Sequence, residues 1–237
     1  MITIDLDCFE ITPGARVLDM GCGEGRHTAA VFDQKRGFCV AADRDKSALK
    51  ACRQKLAFHE TAAGITHAAW APALTDITCT GFKTSIFDIV ICSEVLEHII
   101  DHEKAMSELT RILKPGGILA VSVPRFWPEK ICWLLSDAYF NVNQGHVRIY
   151  KKKELIQKIE QNGPTLFKAH HAHSLHSPFW WLKCLVGPAR TDARSVSLYH
   201  RLLVWDLMKK PFLTRFFDRL FNPVLGKSLV LYFKNRS

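Results

Sequence analysis

The sequence predicts an α/β protein, and three observations carry that prediction. Across the first two-thirds, short β-branched runs alternate with segments whose apolar residues recur every three or four positions, the pattern of parallel strands joined by crossover helices. A glycine-rich turn, Gly21-Cys22-Gly23-Glu24-Gly25, separates the first such run from the first such helix. The 237 residues are 48% hydrophobic and 23% charged, which suits one domain over 1–237 and excludes a disordered chain, a collagen-like fibre or a coiled coil.

The elements follow in order. A strand is expected over Arg16 to Asp19, an Ala-rich helix over Arg26 to Lys35, a strand over Phe38 to Asp43 and a helix over Lys46 to Glu60. Part of Ile65 to Leu74 forms a third strand and Phe87 to Ser93 a fourth. A helix over Asp101 to Leu113 stops at Lys114-Pro115-Gly116-Gly117, where proline cannot continue it and glycine supplies the turn. The fifth strand, Gly117 to Val123, is closed by Pro124 and Pro128, and regular alternation then lapses until Tyr150. Lys151 to Gln161 is an amphipathic helix, Thr165 to His171 a sixth strand, and Ser228 to Lys234 a last one. Residues 174–227, rich in Trp, Phe, Leu and basic groups, read as a helical insertion within the domain, and 124–150 as a partial substrate cap.

Apolar runs such as Ile89 to Cys92 fall far short of the roughly 20 residues that span a bilayer. The N-terminus lacks the basic start and apolar core of a secretory signal, so the chain is expected in the cytoplasm. Eight cysteines, with no Cys-x-x-Cys pair, read as reduced and mostly buried thiols. The net charge of +9 is uneven: residues 1–150 hold 16 Lys+Arg against 18 Asp+Glu, residues 151–237 hold 16 against 5. The basic surface belongs to the last third.

The segment richest in chemistry is Val17-Leu18-Asp19-Met20-Gly21-Cys22-Gly23-Glu24-Gly25, a strand entering a turn whose glycines let a ligand touch the backbone. Asp43 ends the next strand, where a carboxylate can accept hydrogen bonds from ribose hydroxyls. Asp76-Ile77 precedes Phe87-Asp88-Ile89-Val90-Ile91-Cys92-Ser93-Glu94-Val95-Leu96-Glu97-His98, and Leu113-Lys114-Pro115-Gly116-Gly117 follows. These five segments, in this order, resemble the class I S-adenosylmethionine-dependent methyltransferases, most of all their small-molecule and quinone-pathway members. The resemblance implies a Rossmann-like, doubly wound seven-stranded sheet, mostly parallel with one antiparallel strand and helices on both faces. It implies S-adenosyl-L-methionine as cofactor, held by Asp19, Gly21, Cys22, Gly23 and Gly25, by Asp43 with Arg44, by Asp76 and Ile77, and by Ser93 and Glu94. The Leu-Pro-Phe triplet that usually follows the adenine-binding acid is reduced here to Phe82.

The chemistry implied is in-line attack by an acceptor on the sulfonium methyl group, with positioning as the main task and a base needed only for a protonated nucleophile. His98 and His146 are the catalytic candidates. Each has a plainer reading, His98 as a helix-entry residue and His146 as a cap. Gly145-His146-Val147-Arg148-Ile149-Tyr150 resembles a segment near the active site of quinone-pathway relatives, which adds Arg148 and Tyr150 as substrate contacts. His170-His171-Ala172-His173-Ser174-Leu175-His176 invites a metal reading, but no carboxylate or cysteine stands close and the family transfers methyl without one. No metal is expected; His171, His173 and Trp180 are read as substrate contacts.

The insertion sets substrate choice. Phe212, Leu213, Phe216, Phe217, Leu220 and Phe221 share one helical face opposite Thr214, Arg215, Asp218 and Arg219, a pattern that suits either an interfacial membrane helix or packing on the sheet. The expected acceptor is a small lipophilic molecule such as a lipid, quinone precursor or glycolipid, with peripheral contact at the inner face of the membrane through 174–227. The alternative is an RNA methyltransferase gripping phosphates with the basic third, which no recognisable RNA-binding module supports. A third reading is a cofactor-binding fold kept for protein interaction.

Overall fold

A computed structural model describes residues 2–33, 37–63, 70–142, 146–187, 190, 193–209 and 211–236, with the side chains of 61–63 and 140–142 left aside. Lys35, Ile65 and Gly145 therefore lie outside the described residues.

Among the described residues, seven strands form one sheet: β1 (Arg16–Met20), β2 (Phe38–Asp43), β3 (Trp70–Leu74), β4 (Phe87–Ser93), β5 (Leu113–Pro124), β6 (Thr165–Ala172) and β7 (Ser228–Lys234), in the spatial order β3-β2-β1-β4-β5-β7-β6. β7 runs antiparallel between β5 and β6, and the remaining pairs are parallel. The expected seven-stranded, mostly parallel sheet with one antiparallel strand is met. β1, β4 and β5 are nearly continuous buried runs because helices cover both faces of the sheet.

The helices joining these strands are α1 (Arg26–Asp33), α2 (Lys46–Ala63), α3 (His102–Ile112), α4 (Phe126–Leu135), α5 (Asp137–Val142) and α6 (Lys152–Glu160). The helix expected over Asp101 to Leu113 has Asp101 as its cap, the carboxylate accepting from the Lys104 N–H at 3.2 Å. β5 starts at Leu113, earlier than the proline and glycines suggest, because Gly116 takes a φ of +72° and the strand continues through the turn. Where alternation lapses after Pro124, the chain forms α4 and α5. Between β6 and β7 stand α7 (His176–Val186), α8 (Arg194–Lys209) and α9 (Phe212–Leu225).

The connection from β1 leads outward to β2 and β3, and the chain then returns to β4 on the other side of β1. The loops after β1 and β4 therefore part, opening a crevice at the carboxyl ends of the central strands. All eight cysteines are free thiols, six of them buried. No described helix is long and apolar enough to cross a membrane.

Candidate functional site

Gly21 makes the first turn of the crevice. Its φ is +72°, and a Cβ there would lie 2.3 Å from Val95 Cγ2, so only glycine lets the loop after β1 close on the loop after β4. Gly25 is equally confined, with Cys52 Sγ 2.4 Å from the position of a Cβ, and Cys22 lies against the same thiol. The Gly23 N–H donates to Asp43 Oδ2 at 2.9 Å while Asp43 Oδ1 accepts from Asp45 N–H, also at 2.9 Å. Each oxygen keeps a lone pair for a ribose hydroxyl.

Gly21, Asp43 and Val95 line a cleft of about 310 Å³ together with Met20, Arg44, Thr75, Ile77, Glu94, His98 and Ile99. The donor set fits S-adenosylmethionine: an acidic side chain at the end of β2, a glycine loop that brings backbone close, and apolar walls at Ile77, Val95 and Ile99. Of the residues the sequence singled out, Gly21, Asp43, Arg44, Ile77, Glu94 and His98 meet in this cleft. Asp19 does not. It is 1% exposed, with Oδ2 accepting from the Thr28 N–H at 2.9 Å and hydroxyl at 2.7 Å, and it braces the loop from below. Burial pushes its carboxyl up to about 6 against the opposing Thr28 hydrogen bonds. Asp76 is exposed and spends Oδ1 on the Thr78 N–H and hydroxyl at 2.7 and 2.6 Å. Ser93 acts through Ser122, whose hydroxyl lies 2.9 Å from both the Ser93 hydroxyl and Glu94 Oε1.

Beyond His98 the cleft meets a buried polar cluster. The Val147 N–H donates to the Glu97 carbonyl at 3.0 Å, which draws His146 to His98 with ring centres 4.8 Å apart. Glu129, on α4, lies 2.7 Å from His146 Nδ1 and 3.2 Å from Lys227 Nζ. A carboxylate only accepts, so Nδ1 carries the proton of this bond. Burial alone raises the Glu129 carboxyl, but the His146 hydrogen bond and the Lys227 charge outweigh it and hold it at about 2. Lys227 in turn sits 5.1 Å over the Trp180 ring. The sequence reading missed Glu97, Glu129 and Lys227; the spacing Glu94-x-x-Glu97-His98 could have revealed the first, whereas Glu129 is joined to His146 by the fold alone.

Four expected substrate contacts lie elsewhere. Arg148 donates to the carbonyls of Leu96, Ile99 and Ile100, and buried Tyr150 bonds His102 Nδ1 at 2.6 Å and the Leu96 carbonyl at 3.3 Å. Both brace the loop behind His98, binding carbonyls in and just after the 3₁₀ turn Leu96–His98. His171 and His173 line a separate cleft of about 1100 Å³ with Thr3, Arg26 and Arg215. His170 stacks on Tyr232 and His173 meets Thr3 Oγ1 at 3.1 Å, so the histidines of this segment are not gathered into a ligand set among the described residues.

An open, mostly parallel sheet with a glycine loop and a strand-end carboxylate at its switch point has the form of the nucleoside-cofactor class of α/β enzymes. A family described as "Methyltransferase domain" matches residues 11–180. The chain belongs to that family, and its class I fold and S-adenosylmethionine cofactor are as expected. It is 36% identical over 129 residues to the ubiquinone/menaquinone biosynthesis C-methyltransferase UbiE of Vibrio vulnificus, covering 52% of this chain and 47% of that one. It is 32% identical over 116 residues to the trans-aconitate 2-methyltransferase of Azoarcus sp., covering 48% and 41%. The chain thus spans about half the length of these curated relatives or less. Phosphoethanolamine N-methyltransferase 2 of Haemonchus contortus, solved with S-adenosyl-L-methionine, superposes with a TM-score of 0.62 at 16% identity, over 96% of this chain and 50% of that one.

Proposed function

We propose that the protein transfers a methyl group from S-adenosylmethionine to a small lipophilic acceptor, of the quinone-precursor, lipid or glycolipid kind, met at the cytoplasmic face of a membrane. The observation that carries this reading is the orientation of α9. Its polar side holds the protein: Asp218 Oδ1 accepts from the Ser174 hydroxyl at 2.8 Å, Asn222 Oδ1 from the Ser174 N–H at 2.9 Å, and Thr214 bonds Asp206. Its aromatic side faces outward, with Phe212 84%, Leu213 62%, Phe216 52% and Leu220 55% exposed. On α8, Leu198, Leu202, Trp205 and Met208 extend the exposed apolar surface. Exposed Arg201, Lys209, Arg215 and Arg219 flank it, the complement of an anionic lipid surface. UbiE, by its printed name, works in quinone biosynthesis, which supports the same acceptor class. The comparisons lend the RNA alternative no support.

When bound, S-adenosylmethionine supplies an electrophilic methyl group on a sulfonium. Asp43 and the Gly21–Gly25 loop would hold the nucleoside and methionine ends, while Ile77, Val95 and Ile99 keep water out. Glu94, His98 and His146 meet the acceptor, His146 fixed in one tautomer by Glu129. The proposed cap stands beside this end, its α4 and α5 packed on α7 through Cys132, Tyr139, Trp180 and Cys184.

The test is transfer of labelled methyl to an acceptor extract presented either in anionic vesicles or dispersed in detergent. F216S/F217S should lose transfer from vesicles and keep it in detergent. Equal loss in both overturns the membrane reading, and no label in either overturns the enzymatic one.

A further inference from the structure

We propose that Glu97, His98 and His146, with Glu94 beside them, form a site for a divalent transition-metal cation at the acceptor end of the cofactor cleft. The use given to the cation below rests on the methyl-transfer reading; the site itself does not.

Three independent observations point to it. First, Glu97, His98 and His146 each present a ligand atom, and these atoms all lie within 4.8 Å of one another. Metal–ligand distances of about 2.0–2.2 Å set tetrahedral ligand atoms roughly 3.4 Å apart, so the side chains close by up to about 1.4 Å when a cation binds. Second, the Glu97 carboxyl is 1% exposed and neither oxygen has a hydrogen-bond partner among the described residues; His98 Nε2 stands 3.9 Å from Oε1. An unpartnered buried carboxyl is costly, and a cation removes the cost. Third, Glu129 accepts the Nδ1 proton of His146 at 2.7 Å, the outer-shell arrangement that fixes the tautomer of a ligating histidine and leaves Nε2 for the metal.

Glu94, three residues before Glu97, stands beside this set with a backbone φ of +56° and a carboxylate held by the hydroxyls of Ser122, at 2.9 Å, and Ser228. A set of imidazoles and carboxylates suits Zn²⁺, Mn²⁺ or Fe²⁺ better than Ca²⁺.

Because Glu94 and His98 also line the cofactor cleft, the cation stands where the acceptor meets the methyl group. This narrows the acceptor to a molecule with a hydroxyl. The cation-bound hydroxyl loses its proton to solvent more readily. The oxygen then bonds the methyl carbon as the C–S bond of the sulfonium breaks, and the electron pair stays on sulfur to leave a neutral thioether.

Calorimetric titration of chelator-treated protein with ZnCl₂ and with MnCl₂, beside titration with S-adenosylmethionine, tests the site. One cation per chain is expected, weakened at least tenfold in E97Q and in H98A and about 10- to 100-fold in E129Q, which neutralises the outer-shell carboxylate behind His146. E97Q preserves the shape of a neutral buried acid and H98A alters a part-exposed side chain, so both should fold, as a thermal melt checks. Cofactor binding without cation binding overturns the site; so does cation binding unchanged in all three variants. Full transfer by the chelated protein overturns the cation's role and leaves the methyl-transfer reading intact, whereas loss of cofactor binding in the wild type overturns that reading instead.

Discussion

The carboxylate of Asp218 accepts a hydrogen bond from the hydroxyl of Ser174 at 2.8 Å, and that bond turns α9 inside out, polar side to the protein and aromatic side to the surroundings. An amphipathic helix usually buries its apolar stripe. Here that stripe is left exposed.

Replacing Phe216 and Phe217 by Ser should therefore change thermal stability by no more than about 0.5 kcal/mol, because both are substantially exposed, while sharply reducing flotation with anionic vesicles. A large fall in melting temperature would mean that the face is packed in solution.

Asp43→Ala removes the proposed ribose acceptor and also the partners of the Gly23 and Asp45 N–H groups. Charged hydrogen bonds contribute about 1.5–3 kcal/mol, so affinity for S-adenosylmethionine should fall roughly 10- to 100-fold by calorimetry. Unchanged affinity would move the cofactor site elsewhere.

Gly21→Ala places a methyl group on Val95 in a backbone conformation that L residues rarely adopt. It should cost about 1–3 kcal/mol in a denaturant melt and weaken cofactor binding in parallel. A stable variant would show that the loop can open away from Val95.

Acid stability should depend on Glu108. Its carboxylate accepts from Arg111 Nε and Nη2 at 2.7 Å and from the Thr80 N–H at 2.9 Å, and the Arg111 bonds lead in holding it near 2, against an ordinary 4.5. The folded pKa is depressed, so this stability is fully present above pH 4.5 and drains away as pH falls toward 2. With solvent screening of the part-exposed Arg111 it amounts to about 1 kcal/mol. Melts of E108Q against wild type should converge over that window; a gap that persists at pH 2 would contradict the assignment.

Much of the fold was legible because β2, β4 and β7 are β-rich runs whose bounds coincide with those expected. β3 was blurred by Pro72 in a short, half-buried strand. α4 and α5 escaped because their apolar residues pack partly on one another and on α7, which hides any simple period. The periodicity of α9 told which residues share a face and could not tell which way the face turns; that depends on Ser174, Asn222 and Asp218 meeting across the fold. Asp43 and Gly21 were legible because a strand-end acid and a tight turn are local features. Glu129 and His146 were not a legible pair, since seventeen residues and a turn of the chain separate them. Arg148 and Tyr150, read as substrate contacts, are claimed by the carbonyls of the neighbouring loop.

The most direct test is transfer of radiolabelled methyl from S-adenosylmethionine to an extract of the source cells, followed by partition between organic solvent, nucleic acid and protein. Label in the organic phase, lost with Asp43→Ala, is the predicted result. Label confined to nucleic acid would reassign the basic third to phosphate contacts and contradict the lipophilic acceptor.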